Sequence, residues 1–176
     1  QMDIREDRVE SALARARNAW PAATASDVEV DESNVLLVAK YAELLQESGE
    51  TAQAEIFFNR CLRHLEARPT RTNFLGATHL RLRAWILVQL GRHDEGLKLL
   101  KTLYEDYSFG PYDRFVYGLP VWDPVRDREE FQQFRANLDA DAARQLARLR
   151  EMERNGEMPP APGVQLGSTV AATDQQ

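Results

Sequence analysis

The feature that most constrains the fold of this chain is an internal repeat with a period of 42 residues. Residues 45–62 and 87–104 share one pattern of offsets: a large apolar residue, glycine four positions on, a small residue five further on and a large apolar residue after another four (Leu45, Gly49, Ala54, Phe58; Leu87, Gly91, Gly96, Leu100). Such a repeat indicates stacked helix–turn–helix units, because one helical pair cannot bury its apolar face alone.

Helical periodicity dominates the rest of the chain as well. Alternating Val, Ile and Thr runs bounded by turns do not occur, so the sequence offers little support for strands. Apolar residues at helical spacing, with stop signals at Pro21, Gly49, Pro69 and Gly91, predict an all-α chain. The predicted helices span residues 4–19, 34–47, 51–67, 75–90 and 94–105.

The segment after the second repeat is predicted to close the array. It begins with an aromatic, proline-punctuated stretch, residues 107–124, followed by a short helix near 128–137 and a long helix near 140–155. Asp127 and Glu130 are predicted to form a capping box at the first of these helices. The predicted units are an N-terminal helix or partial repeat (1–20), a linker (21–33), two repeats (34–106), a capping region (107–156) and a flexible tail (157–176).

The charge and hydropathy of the chain limit the kinds of partner that it is expected to bind. The chain carries 22 Lys and Arg against 28 Asp and Glu, a net charge of −6, which argues against a dedicated nucleic-acid-binding domain. Six arginines between residues 60 and 83 suggest either a solvated helix face, which we favour, or a basic strip for an acidic ligand (Arg60, Arg63, Arg68, Arg71, Arg81, Arg83). No apolar run approaches the roughly 18 residues of a membrane span, and the charged N-terminus resembles no signal peptide.

No motif for catalysis or metal binding is present. The single cysteine, Cys61, falls at a core position of the repeat, which favours a buried thiol over a metal ligand. His64, His79 and His93 do not lie at the spacing of paired metal ligands. A role of His79 in binding a ligand is an alternative hypothesis. We therefore predict a protein that is not an enzyme, with no catalytic residues, no cofactor and no metal.

The repeat resembles the tetratricopeptide (TPR) motif. Small residues lie on each first helix (Ala42, Ala84), glycine lies at each turn, and small then large residues follow on each second helix. The resemblance implies a TPR-like helical-hairpin solenoid with a C-terminal helical cap. Two features depart from the motif: the period exceeds the usual ~34 residues, and a proline follows the second helix clearly only at Pro69.

The closing segments resemble the C-terminal "end-of-group" region of bacterial TPR arrays. The segments that carry it are residues 119–134 and 141–160, and with the repeats the resemblance covers about residues 35–160. Such regions end winged-helix transcriptional regulators and adenylate cyclases with TPR sensor halves. The resemblance implies a bacterial regulatory or signalling protein, in the cytoplasm or periplasm. It implies either the C-terminal part of a longer regulator or a free-standing relative. Phe131 and Phe134 are expected to plug the groove left by the last repeat, with Trp122 and Pro124 fixing its entry.

In TPR arrays the first helix of each unit lines the ligand face, and the resemblance carries this role to matching positions here. The expected partner-binding residues come from two helices (Leu36, Ala39, Glu43 and Gln46; Thr78, Arg81, Trp85 and Gln89). Trp85 beside Arg81 on an open surface would suit an anchor for a peptide. The competing hypothesis is that Trp85 packs under the N-terminal helix or the cap.

The sequence thus favours a non-catalytic protein–protein interaction module that binds a protein or peptide partner, the scaffold or sensor half of a regulatory protein. An alternative from another class is a small-molecule sensor with a pocket under the aromatic loop 107–122. Homodimerisation is a third possibility, because a truncated array would leave the N-terminal face of the first repeat uncovered.

Overall fold

The 42-residue repeat corresponds to two helical hairpins. In this computed structural model, residues 2–67, 74–106 and 117–157 are described, and every regular element within these ranges is helical. The elements are α1 (Met2–Ala19), α2 (Pro21–Thr24), α3 (Val35–Glu47), α4 (Thr51–Glu66), α5 (Phe74–Gln89), α6 (His93–Asp106), a 3₁₀ helix (Pro120–Val125) and α7 (Glu129–Arg154). The all-α prediction is confirmed, and the four repeat helices lie within a residue or so of their predicted bounds.

The repeated glycines end α3 and α5 in the same way. Gly49 has φ +89° and Gly91 has φ +74°, a left-handed conformation that glycine adopts without steric cost. The amide of Glu50 then donates to Leu45 O at 2.8 Å, and the amide of Arg92 donates to Leu87 O at 2.8 Å. These are Schellman caps, which satisfy the last helical carbonyls and turn the chain back sharply. The next helix consequently runs antiparallel to the previous one.

Small residues bring the helices of each hairpin close together. Ala42 and Ala84 are fully buried, and Ala54 is buried at the equivalent of Gly96. A Cβ atom placed on Gly96 would lie 2.9 Å from the Ala84 carbonyl oxygen, so α5 and α6 approach even more closely than a second alanine would permit. The predicted role of the small positions in hairpin packing is confirmed.

The N-terminal part is more ordered than a helix followed by a polar linker. α1 packs on α3 through the buried Val9, Leu13 and Ala16 and therefore covers that side of the first hairpin. The segment 21–33 was predicted as linker, but it contains α2 and buries Val28. Ala23 and Val28 of this segment belong to the buried core.

The C-terminal region differs from the prediction of two helices. α7 is one helix of 26 residues, because the predicted break at residues 137–140 contains no helix breaker. The predicted capping box is also wrong: Arg128 is the N-cap residue, and it makes no side-chain capping hydrogen bond. The predicted division into units remains a prediction, and residues 158–176 of the expected tail lie outside the described ranges.

An aromatic cluster joins α7 to the second hairpin. Tyr117, Trp122 and Phe131 are at most 2% exposed, and Phe134 packs edge-to-face on Tyr117 with ring centroids 4.7 Å apart. Trp122 stacks on Phe131 at 5.8 Å. The expected burial of Phe131, Phe134 and Trp122 is confirmed, whereas Pro124 is exposed.

Candidate functional site

A groove lies between α3, the C-terminal end of α5 and the segment 119–124. Its volume is about 490 Å³, within the range of ligand sites on proteins. We call it the α3 groove; its lining comes from one face of α3, from α5 and from the 3₁₀ segment (Lys40, Glu43, Gln46, Glu47, Gln89, Leu119, Pro120, Val121, Asp123, Pro124).

Three of the predicted partner-binding residues meet in this groove: Glu43, Gln46 and Gln89. The side-chain Nε2 of Gln46 donates to the Gln89 carbonyl oxygen at 3.5 Å, and Nε2 of Gln89 donates to the Val121 carbonyl oxygen at 2.7 Å. These two bonds tie α3, α5 and the 3₁₀ segment into one rigid floor. Oε1 of Gln46 is buried without a hydrogen-bond partner among the described residues.

Trp85 lies beneath the surface rather than on it. The residue is 6% exposed, and its ring packs edge-to-face against Phe58 of α4 at 6.3 Å. Lys40 holds its Nζ 4.4 Å from the centre of the same ring, an arrangement that attracts the ammonium to the aromatic face. Trp85 therefore lies beneath Lys40 and packs against Phe58 of α4.

The other predicted partner residues are spread over α3 and α5. Nε of Arg81 donates to the Tyr117 hydroxyl at 3.1 Å, which ties this guanidinium to the aromatic cluster. Thr78 is half-buried, Ala39 is fully buried, and Leu36 is 55% exposed. These four residues do not line the α3 groove.

The charge of the α3 groove is mainly negative. Three carboxylates and one ammonium line it, and Lys40 pairs with Glu43 at 2.8 Å. Asp123 accepts from Nε of Arg126 at 2.7 Å. Glu47 is exposed and has no ion-pair partner within the described residues. The groove thus presents one free carboxylate beside an apolar wall of Leu119, Pro120 and Val121.

Sequence reasoning missed Lys40, Glu47 and the segment 119–124 as groove residues. Glu43 and Glu47 lie four residues apart on α3, so a helical projection would have placed them on one face. The contribution of Leu119–Pro124 had no such signal, because it depends on a long connection after α6 that carries the chain back to α5.

The described residues give little support for a redox-active thiol or for a metal site. Burial raises the pKa of the Cys61 thiol to about 12, so the reactive thiolate is scarce at neutral pH. Nε2 of His79 lies 2.6 Å from a Glu32 oxygen and Nε2 of His64 lies 4.0 Å from the other oxygen. No group of three or more potential metal ligands forms in the parts of the chain that the structure describes.

Three of the described arginines between residues 60 and 83 contact three different parts of the protein. Arg60 donates to the Ser26 carbonyl oxygen at 2.6 Å, Arg81 points to Tyr117, and Arg83 pairs with Glu66 at 3.9 Å. Arg68 and Arg71 lie outside the described ranges. Among the described helices, none combines the length and the apolar character that crossing a bilayer requires.

Comparison with known proteins gives no relative from which a role could be transferred. No protein-family model matches the chain, and no curated protein and no solved structure gives a significant match.

Proposed function

We propose that this chain is a non-catalytic protein–protein interaction module that holds an extended segment of a partner in the α3 groove. The observation that carries the proposal is the convergence of Glu43, Gln46 and Gln89 on one preformed groove. These residues come from two different helices; Gln46 donates to the Gln89 carbonyl oxygen, and Gln89 donates to the Val121 carbonyl oxygen. A site that is rigid before binding loses little conformational entropy when a ligand enters.

We further propose that the two hairpins, with α1 and the α7 region at either end, form a TPR-like solenoid. Identical glycine caps, close small-residue contacts and the 42-residue period support this interpretation. The role as the scaffold or sensor half of a bacterial regulatory protein belongs to the same proposal and rests on the resemblance of the closing segments.

The chemistry of the groove favours a partner segment with a basic side chain beside apolar residues. Glu47 offers an unpaired carboxylate, and Leu119, Pro120 and Val121 offer an apolar wall. Gln46 Oε1 supplies an acceptor without an internal partner. Because this oxygen is buried, a donor from the partner reaches it only after a small movement of the Gln46 side chain.

The test begins with selection of binders from a displayed library of random dodecapeptides. Selected peptides are labelled and titrated by fluorescence anisotropy against the wild-type protein, against Glu47→Lys, and against Glu10→Lys. Glu47 and Glu10 are both exposed, so the two variants change charge equally, but only Glu47 lines the groove. We expect selected peptides to be enriched in Lys or Arg and Glu47→Lys to weaken them at least tenfold.

The control variant Glu10→Lys should bind like the wild type. Peptides that bind all three proteins equally, or a library that yields no binder, would contradict the proposal. Weakening by both variants to the same extent would indicate only non-specific attraction to an acidic protein.

The small-molecule alternative receives less support from the packing near the aromatic loop. Tyr117 and Trp122, the described aromatic residues of that segment, are almost fully buried and lie against each other with ring centroids 5.3 Å apart. These two rings fill the space between them, and residues 107–116 lie outside the described ranges. We therefore favour the interaction module.

A further inference from the structure

The second half of α7 is exposed on nearly all sides. Tyr104 near the end of α6 donates to Oδ2 of Asp141 at 2.9 Å, and Arg128 donates to Asp94 at 2.7 Å near its beginning. α6 and α7 therefore run parallel, and α7 continues beyond α6 over residues 142–154, about 20 Å of helix. In this part Leu146 and Leu149 are each 48% exposed.

The exposed half of α7 combines these leucines with positive charge. Residues 142–154 contain four arginines and two glutamates. Arg150 lies on the same face as Leu146, four residues away, and Arg154 follows one turn later. Arg150 has no ion-pair partner within the described residues.

The first half of α7 forms a second groove with α6, which we call the α6–α7 groove. Its volume is about 650 Å³, larger than that of the α3 groove. Leu97, Tyr104 and Phe134 supply apolar surface, and the charged lining consists of four carboxylates and two ammonium groups (Asp94, Glu105, Glu129, Glu130; Lys98, Lys101). Glu129 has no ion-pair partner within the described residues, and Arg128 lies 3.6 Å from Glu130.

The two surfaces match in length as well as in charge. The α7 side of the groove extends from Glu129 to Asn137, about 12 Å, and the stripe from Leu146 to Arg154 has the same length. An acidic groove with an apolar base thus complements a helix that presents two leucines flanked by arginines. Because both surfaces belong to one continuous helix, α7 cannot reach its own groove, and the occupant must come from another molecule.

We propose that the second half of α7 from one copy of this chain docks in the α6–α7 groove of the next copy. The leucines would pack over the apolar floor formed by Leu97, Tyr104 and Phe134. Arg150 and Arg154 would approach Glu129 and Glu130. The contact joins two different surfaces, so it is heterologous and links copies head to tail. A groove that holds about two helical turns is small, which places the contact in the weak, transient class below about 1,200 Å².

The test measures the mass of the full chain by light scattering and sedimentation over a dilution series at low ionic strength. We expect the wild-type mass to rise gradually with concentration. The helix variant, Leu146→Glu with Leu149→Glu, and the groove variant, Glu129→Lys with Glu130→Lys, should each self-associate at least tenfold more weakly. Because the leucines are half-exposed and the glutamates are exposed, both variants should keep the helical circular dichroism of the wild type.

A mixture of the two variants gives the decisive result. The groove variant retains an intact helix and the helix variant retains an intact groove, so an equimolar mixture should form a 1:1 dimer that grows no further. The control pair Glu10→Lys with Glu29→Lys makes the same charge change at exposed sites elsewhere and should associate like the wild type. A wild-type protein that is monomeric at every concentration, or a variant mixture that stays monomeric, would overturn the proposal.

Discussion

Replacing Gly96 by alanine is expected to destabilise the second hairpin, although alanine favours helices. A Cβ atom at this position would lie 2.9 Å from the Ala84 carbonyl oxygen and 2.9 Å from Cγ2 of Val88. Ordinary van der Waals contact begins near 3.4 Å, so α6 must move away from α5 by about half an ångström. The carbonyl belongs to the backbone of α5 and cannot rotate aside as a flexible side chain would.

Two opposing effects set the magnitude of this change. Alanine in a helix interior is about 1 kcal/mol more favourable than glycine, whereas overpacking a close-packed interior costs about 1–3 kcal/mol. Overpacking prevails over most of that range, and we expect a net loss of about 1 kcal/mol. For a domain of this size, such a loss lowers the melting temperature by about 2–4 °C.

Chemical denaturation followed by circular dichroism measures the free energy of unfolding of Gly96→Ala and of two controls in the first hairpin. Ala52→Gly lies on the exposed face of α4 in its first turn and should cost less than about 1 kcal/mol through helix propensity alone. Ala54→Gly, at the buried equivalent of Gly96, should cost about 2 kcal/mol because a packed methyl group is also lost. A Gly96→Ala protein as stable as the wild type, or more stable, would refute the argument from close helix approach.

Three further predictions follow from individual residues. Gly91 has φ +74° and open space around it, so Gly91→Ala should lower the free energy of unfolding by about 1–2 kcal/mol through backbone strain alone. Equal free energies of unfolding for the variant and the wild type would contradict this. Burial and a pKa of about 12 should keep Cys61 unreactive toward a thiol reagent at pH 8 until the chain unfolds; rapid labelling of the native protein would show the packing to be wrong. Hydrogen bonds, chiefly from the Ser33 hydroxyl, lower the pKa of Asp31 below its ordinary value of 3.8. The ionised carboxylate therefore stabilises the fold at pH values above 3.8. This stabilisation is lost as the pH falls through the lowered, folded-state pKa. Asp31→Ala should therefore lower the melting temperature at pH 7 and have a diminishing effect below pH 3.8, whereas a pH-independent effect would exclude the carboxylate charge as the cause.

The helical hairpins were predictable because their determinants are local. Gly49 and Gly91 stop helices through a conformation that few other residues adopt, and the apolar spacing on either side is helical. The continuity of α7 was missed because the two aspartates at 139 and 141 interrupt the apolar pattern, although the stretch contains no glycine or proline. Polar residues are expected where a helix extends beyond the body of the protein, because its sides are then exposed to solvent. Residues 139–140 are exposed, so α7 leaves the protein body at this point.

The candidate site was predictable only in part. Glu43, Gln46 and Gln89 line one groove, whereas their role in binding a partner remains a prediction. Helical spacing explains why Glu43 and Gln46 share one face of α3. The sequence left open whether Trp85 is a surface anchor or a packed residue, since it does not show that Phe58 of α4 and Lys40 of α3 lie against its ring. The wall formed by Leu119–Pro124 depends on tertiary contacts across a connection with no periodic pattern.

The central claim is that the α3 groove is the surface that binds a partner segment. The most direct measurement titrates a selected peptide into ¹⁵N-labelled protein and maps amide chemical-shift changes along the chain. If the α3 groove binds the peptide, the largest changes will lie at Glu43, Gln46, Glu47, Gln89 and Val121, with smaller effects at the exposed face of α4. Changes concentrated on α4 or on the second half of α7, with the groove amides unaffected, would contradict it.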